Sequence, residues 1–148
     1  MGKTLIKIKD KIKTIAENHR QINSYEDEKL WNITTSGTTN YPLFVSVYKE
    51  TNLSRGEQGH TFDFYSLDLL RKDRQNLGDI YSDTNRTMAD VIAELKWGGD
   101  MDIDLKVESF RMEQVDEALM DDEVAGHKCT VTIWTDFIIN SCTIPTIT

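Results

Sequence analysis

The run Asp121-Asp122-Glu123-Val124-Ala125-Gly126-His127-Lys128-Cys129-Thr130-Val131-Thr132-Ile133-Trp134 constrains the fold more than any other stretch of the chain. From Lys128 onward its residues are mostly β-branched or aromatic, which suits a pleated, half-buried surface. Successive side chains of a strand point to opposite faces, so His127, Cys129, Val131 and Ile133 share one side and Lys128, Thr130, Thr132 and Trp134 the other. The first set is apolar beyond its histidine, so a core lies on that side. An acidic turn and a small-residue Val-Ala-Gly hinge lead into what reads as a central strand, against which the earlier elements pack.

Those elements follow from periodicity. Leu5, Ile8, Ile12, Ile15, His19 and Ile22 recur at helical spacing and predict a helix over 4–18, with Lys3, Lys7, Lys9, Lys11 and Lys13 mostly off the apolar stripe. His19 reads as a helix-end residue favoured by the negative end of the dipole. Ile80, Thr84, Met88, Val91, Ile92 and Leu95 predict a second helix, starting near Asp79 with Asn76 or Asp79 as cap and ended by Gly98-Gly99. Strands are expected at 30–34, 43–48, 60–70 and 101–107. In the last of these Met101, Ile103, Leu105 and Val107 alternate with Asp102, Asp104, Lys106 and Glu108. Phe62 and Phe64 oppose Tyr65, Leu67 and Leu69, so both faces of that strand are apolar; it is either central or offers one face to a partner. Asn23 to Lys29 reads as a turn, Thr51 to Gly59 as a mobile loop and Phe110 to Met120 as a connector. The order is α-β-β-β-α-β-β. The expected fold is a single α+β domain over 1–148, a mostly antiparallel sheet with two helices packed on one face.

Composition narrows the function classes. The net charge is -8, which argues against DNA binding through the surface as a whole. The two cysteines, Cys129 and Cys142, have no metal-type spacing, and reduced thiols are the default. No apolar run approaches ~18 residues, so no membrane helix is expected. Asp100, Asp102 and Asp104 imitate the first ligands of a calcium loop, but Leu105 and Arg111 stand where glycine and glutamate are needed. His19, His60 and His127 are scattered, with no zinc spacing. Neither Ser36 nor Ser141 sits in a nucleophile elbow. No catalytic residue, cofactor or metal is therefore expected.

Charge is distributed unevenly. Residues 1–20 carry six bases and two acids, and residues 98–126 carry ten acids and two bases. Five of those acids, Asp116, Glu117, Asp121, Asp122 and Glu123, fall within eight residues. One reading is self-association, in which Lys7, Lys11 and Lys13 of one copy meet the acidic group of the next at a subunit interface; such heterologous contacts close into rings or grow into filaments. The other is that both patches are solvated or neutralised within one chain.

The order of elements, the run Phe62 to Leu69 followed by Asp83-Thr84-Asn85-Arg86-Thr87-Met88-Ala89-Asp90-Val91-Ile92 on a helix, Asn40-Tyr41-Pro42-Leu43 before a strand, and Asp122-Glu123-Val124-Ala125-Gly126-His127 leading into one make a set. In these features the chain resembles the neck proteins of tailed bacteriophages, above all tail-terminator (tail-completion) proteins. His127 stands where the resemblance would place an aromatic residue. The resemblance implies a non-enzymatic virion protein at the head-tail junction, assembled in the host cytoplasm. It implies a homo-oligomeric ring, typically a hexamer, that caps the tail tube protein and joins it to the head connector. DNA would pass through the lumen without specific binding, repelled by carboxylates that line it. Another connector ring, such as a head-completion or stopper protein, is the alternative within that class. A small acidic protein-binding module is the alternative outside it.

Overall fold

The computed structural model describes residues 4–27, 40–54, 56–97, 106–107, 111–119 and 122–136. Helix α1 spans Thr4–Asn18, and strand β1 (Ser24–Glu26) follows it. A long hairpin of β2 (Leu43–Ser54) and β3 (Glu57–Leu69) leads through a 3-10 turn at Lys72–Arg74 into helix α2 (Leu77–Trp97). Strands β4 (Lys106–Val107), β5 (Met112–Leu119) and β6 (Asp122–Asp136) complete the described chain. The sheet runs β1-β2-β3-β6, and β4 and β5 share the far side of β6. Among the described residues only the β1–β2 pairing is parallel. The fold is the expected α+β domain, a mostly antiparallel sheet with both helices packed against it, and β6 is central.

The parity read from the sequence places the core. Cys129, Val131 and Ile133 of β6 pack with Phe62 and Phe64 of β3, Phe44 of β2, Ile8, Ile12 and Ile15 of α1 and Met88, Val91, Ile92 and Leu95 of α2. Each large side chain removed from water there contributes about 1.5–3 kcal/mol. On the opposite face of the sheet, Leu43, Val45, Leu67 and Val124 form a second buried cluster. Thus β3 is buried on both faces because it is central, with β2 on one side and β6 on the other.

Several boundaries differ from expectation. Three residues of the expected turn at Asn23–Lys29 form β1, because Asn23 and Ser24 donate backbone hydrogen bonds to Pro42 O and Tyr25 stacks on Phe44. The strand expected at 30–34 lies outside the described residues. So does that at 101–107, except for Lys106–Val107, which pair with Trp134 and Ile133. The expected connector over 110–120 contains β5, an eight-residue strand whose pairing with β6 overrides its mixed local pattern. The expected mobile loop at 51–59 is the continuation of the β2–β3 hairpin, paired as far as Ser54↔Glu57. A bulge at Lys49 makes this possible. It reverses side-chain parity so that Thr51 lies opposite His60, and Thr51 Oγ1 bonds to His60 Nδ1 at 3.0 Å. Where Gly59 faces Trp134, the indole ring lies on the glycine, and a Cβ there would come within 2.8 Å of it.

Candidate interaction surface

One end of the sheet gathers most of the acids singled out in the sequence. The β3–β6 ladder ends at Leu69↔Val124, and the β5–β6 hairpin closes at Leu119↔Asp122. The acidic turn is therefore shorter than expected, since Asp122 and Glu123 are already strand residues. The Val-Ala-Gly segment is not a hinge but the interior of β6. A Cβ on Gly126 would lie 1.8 Å from the carbonyl oxygen of Ser66, so β6 reaches its register on β3 only with glycine there. His127 follows, buried against α2. Its Nδ1 lies 2.9 Å from Thr84 Oγ1, and Thr84 donates to Ile80 O at 2.7 Å. The hydroxyl proton is thereby committed, so the imidazole Nδ1–H is the donor and Thr84 is no activated nucleophile. Burial lowers the pKa of His127, as it does that of His60.

The acids of this end have individual partners. Asp116 pairs with Arg74, and both are about half exposed. Arg74 and Asp73 are held at φ 58 and 59, a left-handed conformation unfavourable for residues with a Cβ. The Asn76 side chain secures the loop. It accepts from Arg71 N at 2.8 Å and donates to Leu69 O at 3.1 Å, while the Asn76 carbonyl accepts the first bond of α2 from Ile80 N. Asn76 is thus the N-cap by backbone, with its side chain spent on the loop rather than on the helix. The carboxylate of Asp116 raises the pKa of Arg74.

Asp122 accepts from the Tyr41 hydroxyl at 2.9 Å. Burial first, and then this bond and the charges of Asp122 and Asp68, push the Tyr41 phenol well above its usual range. Burial also raises the carboxyl pKa of Asp68 against the bond from Leu69 N, and neighbouring Asp83 adds to the rise. Glu123 is exposed, and its backbone carbonyl accepts from Leu70 N at 2.9 Å. Glu117 lies opposite Val124 in β5, and Asp121 falls outside the described residues.

The basic residues proposed as their counterparts lie elsewhere. Lys7 and Lys13 are exposed on α1, Lys11 is half-buried, and Lys13 is 3.9 Å from Glu17 of its own helix. Two of the acids, Asp116 and Asp122, therefore meet groups of their own chain, Arg74 and Tyr41. Arg74 was not singled out from the sequence, and Tyr41 stood only in the run Asn40-Tyr41-Pro42-Leu43, not as a partner of an acid. Arg74 stood visible in the basic run Arg71-Lys72-Asp73-Arg74, but its left-handed backbone did not.

Two hollows lie in the helix layer. The helices run antiparallel: beside Lys11 and Thr14 a hollow of about 550 Å³ reaches Ala93 and Glu94. Beside Arg20 and Gln21 another, of about 510 Å³, reaches Asp83, Arg86 and Thr87. His19 and Asp90 line both, with Nε2 to Oδ2 at 2.9 Å. Gln21 N donates to His19 Nδ1 at 3.1 Å, which makes Nε2–H the donor to Asp90. His19 is thus a latch between α1 and α2 as well as a helix-end residue. Among the described residues no group of three or more His, Cys, Asp or Glu could hold a metal ion. The Cys129 thiol is pushed up to about 11 by burial, with Asp63 adding to the rise, so it is no thiolate nucleophile at neutral pH.

A comparison with known protein families finds no family that matches this chain, and a comparison with characterised proteins finds no match either.

Proposed function

We propose that this chain is a non-enzymatic virion assembly protein of the tailed-bacteriophage neck, of the tail-terminator type. In this reading it forms a ring, six subunits in the typical case, that caps the tail tube and joins it to the head connector while DNA passes through the lumen. The resemblance in sequence is the source of the reading. The observation that supports it is the acidic end of the sheet, where Asp68, Asp116, Asp122 and Glu123 are carried by paired strands rather than by a loose tail. Arg74 offsets Asp116 within the domain, whereas Asp122 meets a neutral phenol; in a ring, carboxylates of this kind lining the lumen would keep DNA phosphates from sticking.

Two measurements test this. Virions labelled with an antibody to the protein should carry the label at the head-tail junction, and a label elsewhere or none removes the proposal. Asp122→Lys with Glu123→Lys should leave rings able to form with the tail tube but make them retain DNA at low salt. Retention should disappear toward 1 M salt, where the screening length falls to ~3 Å. Rings that release DNA as the unaltered protein does would show that these acids do not face the lumen.

A further inference from the structure

We infer that Tyr48, Thr51 and His60 form an acid-sensitive clasp, which holds the outer part of β2, residues 49–54, on β3 at neutral pH and releases it when His60 is protonated. The clasp lies within one chain and does not depend on ring formation.

Little else holds residues 49–54. β1 pairs with β2 only from Leu43 to Val45, so beyond that point the outer edge of β2 has no partner strand among the described residues. Thr51 is half-buried and its neighbours in this stretch are exposed, Leu53 to 68%. The bulge at Lys49 interrupts the pairing with β3 and turns Thr51 onto the helix side, opposite His60. There the Thr51 hydroxyl bonds both the Tyr48 hydroxyl and His60 Nδ1, the latter at 3.0 Å. The Tyr48 and His60 rings lie 6.5 Å apart, so the three side chains tie the two strands together across the bulge.

This arrangement accommodates a neutral imidazole better than a charged one. His60 is 2% exposed, and its Nε2 is buried with no hydrogen-bond partner among the described residues. Neutral Nδ1 can accept the Thr51 proton, or donate to Thr51 while Thr51 donates to Tyr48. Protonation removes the first option and leaves Nε2 a charged N–H without an acceptor. The surrounding groups give no relief. β2 contributes the Tyr48 phenol and β6 places Ile133 opposite. From α1, Lys9 holds its ammonium 5.4 Å from the centre of the Tyr48 ring, a like charge for an imidazolium. Glu50 and Glu57 of the same hairpin alternate onto the other face of the sheet. Burial accordingly lowers the His60 pKa.

Release of residues 49–54 hydrates the imidazole and returns it to its ordinary value of 6.5. The closed form binds protons less readily than the open one. Its stability is therefore fully present above pH 6.5 and is lost as pH falls through the lowered closed-state value. The open form bares the edge of β3 over 57–61, an unpaired strand edge of the kind that accepts an added strand.

Hydrogen exchange of backbone amides, expressed as protection relative to the intrinsic rate at each pH, tests the clasp in the full chain. Protection over 49–54 should fall roughly tenfold between about pH 7.5 and about pH 5, as a closed-state pKa about one unit lower requires, while that of Phe44, Phe62 and Val131 holds. His60→Gln retains a donor and an acceptor for Thr51 and should abolish the fall. Should that variant not fold, the unaltered protein decides: protection should fall from pH 6.5 to the titration midpoint of the His60 ring resonances and level off below it. Protection that is constant with pH overturns the inference. So does a fall shared equally by Phe44 and Phe62, which reports global unfolding, or one that persists undiminished in His60→Gln.

Discussion

The two faces of the β3–β6 ladder use the same residues of backbone and hold together by different means. On the helix side Phe62, Phe64, Cys129, Val131 and Ile133 are at most 1% exposed and meet both helices. On the other side the ladder is a series of specific pairs. Trp134 lies on Gly59, Thr61 bonds Thr132 at 3.1 Å, and Thr130 donates to Asp63 at 2.7 Å. Asp63, 6% exposed, also has Lys49 at 3.6 Å and Lys128 at 3.7 Å. Burial of the Lys128 stem works against its charge, but Asp63, with Tyr65 and Glu113, raises its pKa nonetheless. Nearer the acidic end, this face turns apolar at Leu67 and Val124. Non-directional burial therefore secures one face, whereas geometry secures much of the other.

The largest effect should come from breaking the apolar face. Val131→Asp places a charge without a partner among the phenylalanines and should abolish cooperative thermal unfolding altogether. A soluble Val131→Asp protein with an ordinary melting transition would show that this face is not the core. Gly126→Ala should come next, because its Cβ would meet backbone rather than a movable side chain. We expect a loss on the order of 3 kcal/mol in denaturant unfolding, as for strong overpacking, and an unchanged midpoint would contradict the close approach of β6 to β3.

On the paired face the effects should be smaller and divisible. Asp63→Ala leaves Lys49, Lys128 and Thr130 without their acceptor and should cost about 1–3 kcal/mol. Converting Lys49 and Lys128 to Met in the same background should recover part of that loss. If it recovers none, the lysines contribute through their stems and not through charge.

The smallest effect is a pH dependence confined to the helix side, where both buried histidines lie. Burial lowers the folded-state pKa of His60 and of His127 below the ordinary 6.5. Their neutral forms are favoured by folding, so this stability is fully present above pH 6.5 and is lost as pH falls through the lowered folded values. His60→Gln with His127→Gln should flatten the stability profile below pH 6.5 without touching the paired face. A profile unchanged by the double substitution would assign the acid sensitivity to carboxylates instead.

Periodicity carried a good deal of this structure. The spacing of Ile8, Ile12 and Ile15 and the alternation of Cys129, Val131 and Ile133 depend only on helix and strand geometry, which every residue of such a segment reports locally. Hence α1, the core of α2, the parity of β6 and the α+β class could be read from the chain alone. The acids and the chain's contrast in charge were equally legible, because composition needs no fold. What tertiary structure alone decided is what depends on a distant backbone. It made β1 from three polar residues and β5 from an expected connector, since pairing with a neighbouring strand satisfies backbone groups whatever the local pattern. It continued β2 and β3 to their tip by one bulge and by a tryptophan laid on Gly59. It gave Asp116 to Arg74, Asp122 to Tyr41 and Asp90 to His19. Which charges are spent within the chain and which remain for another molecule is a matter of approach in space, and that information enters only when the sheet is assembled.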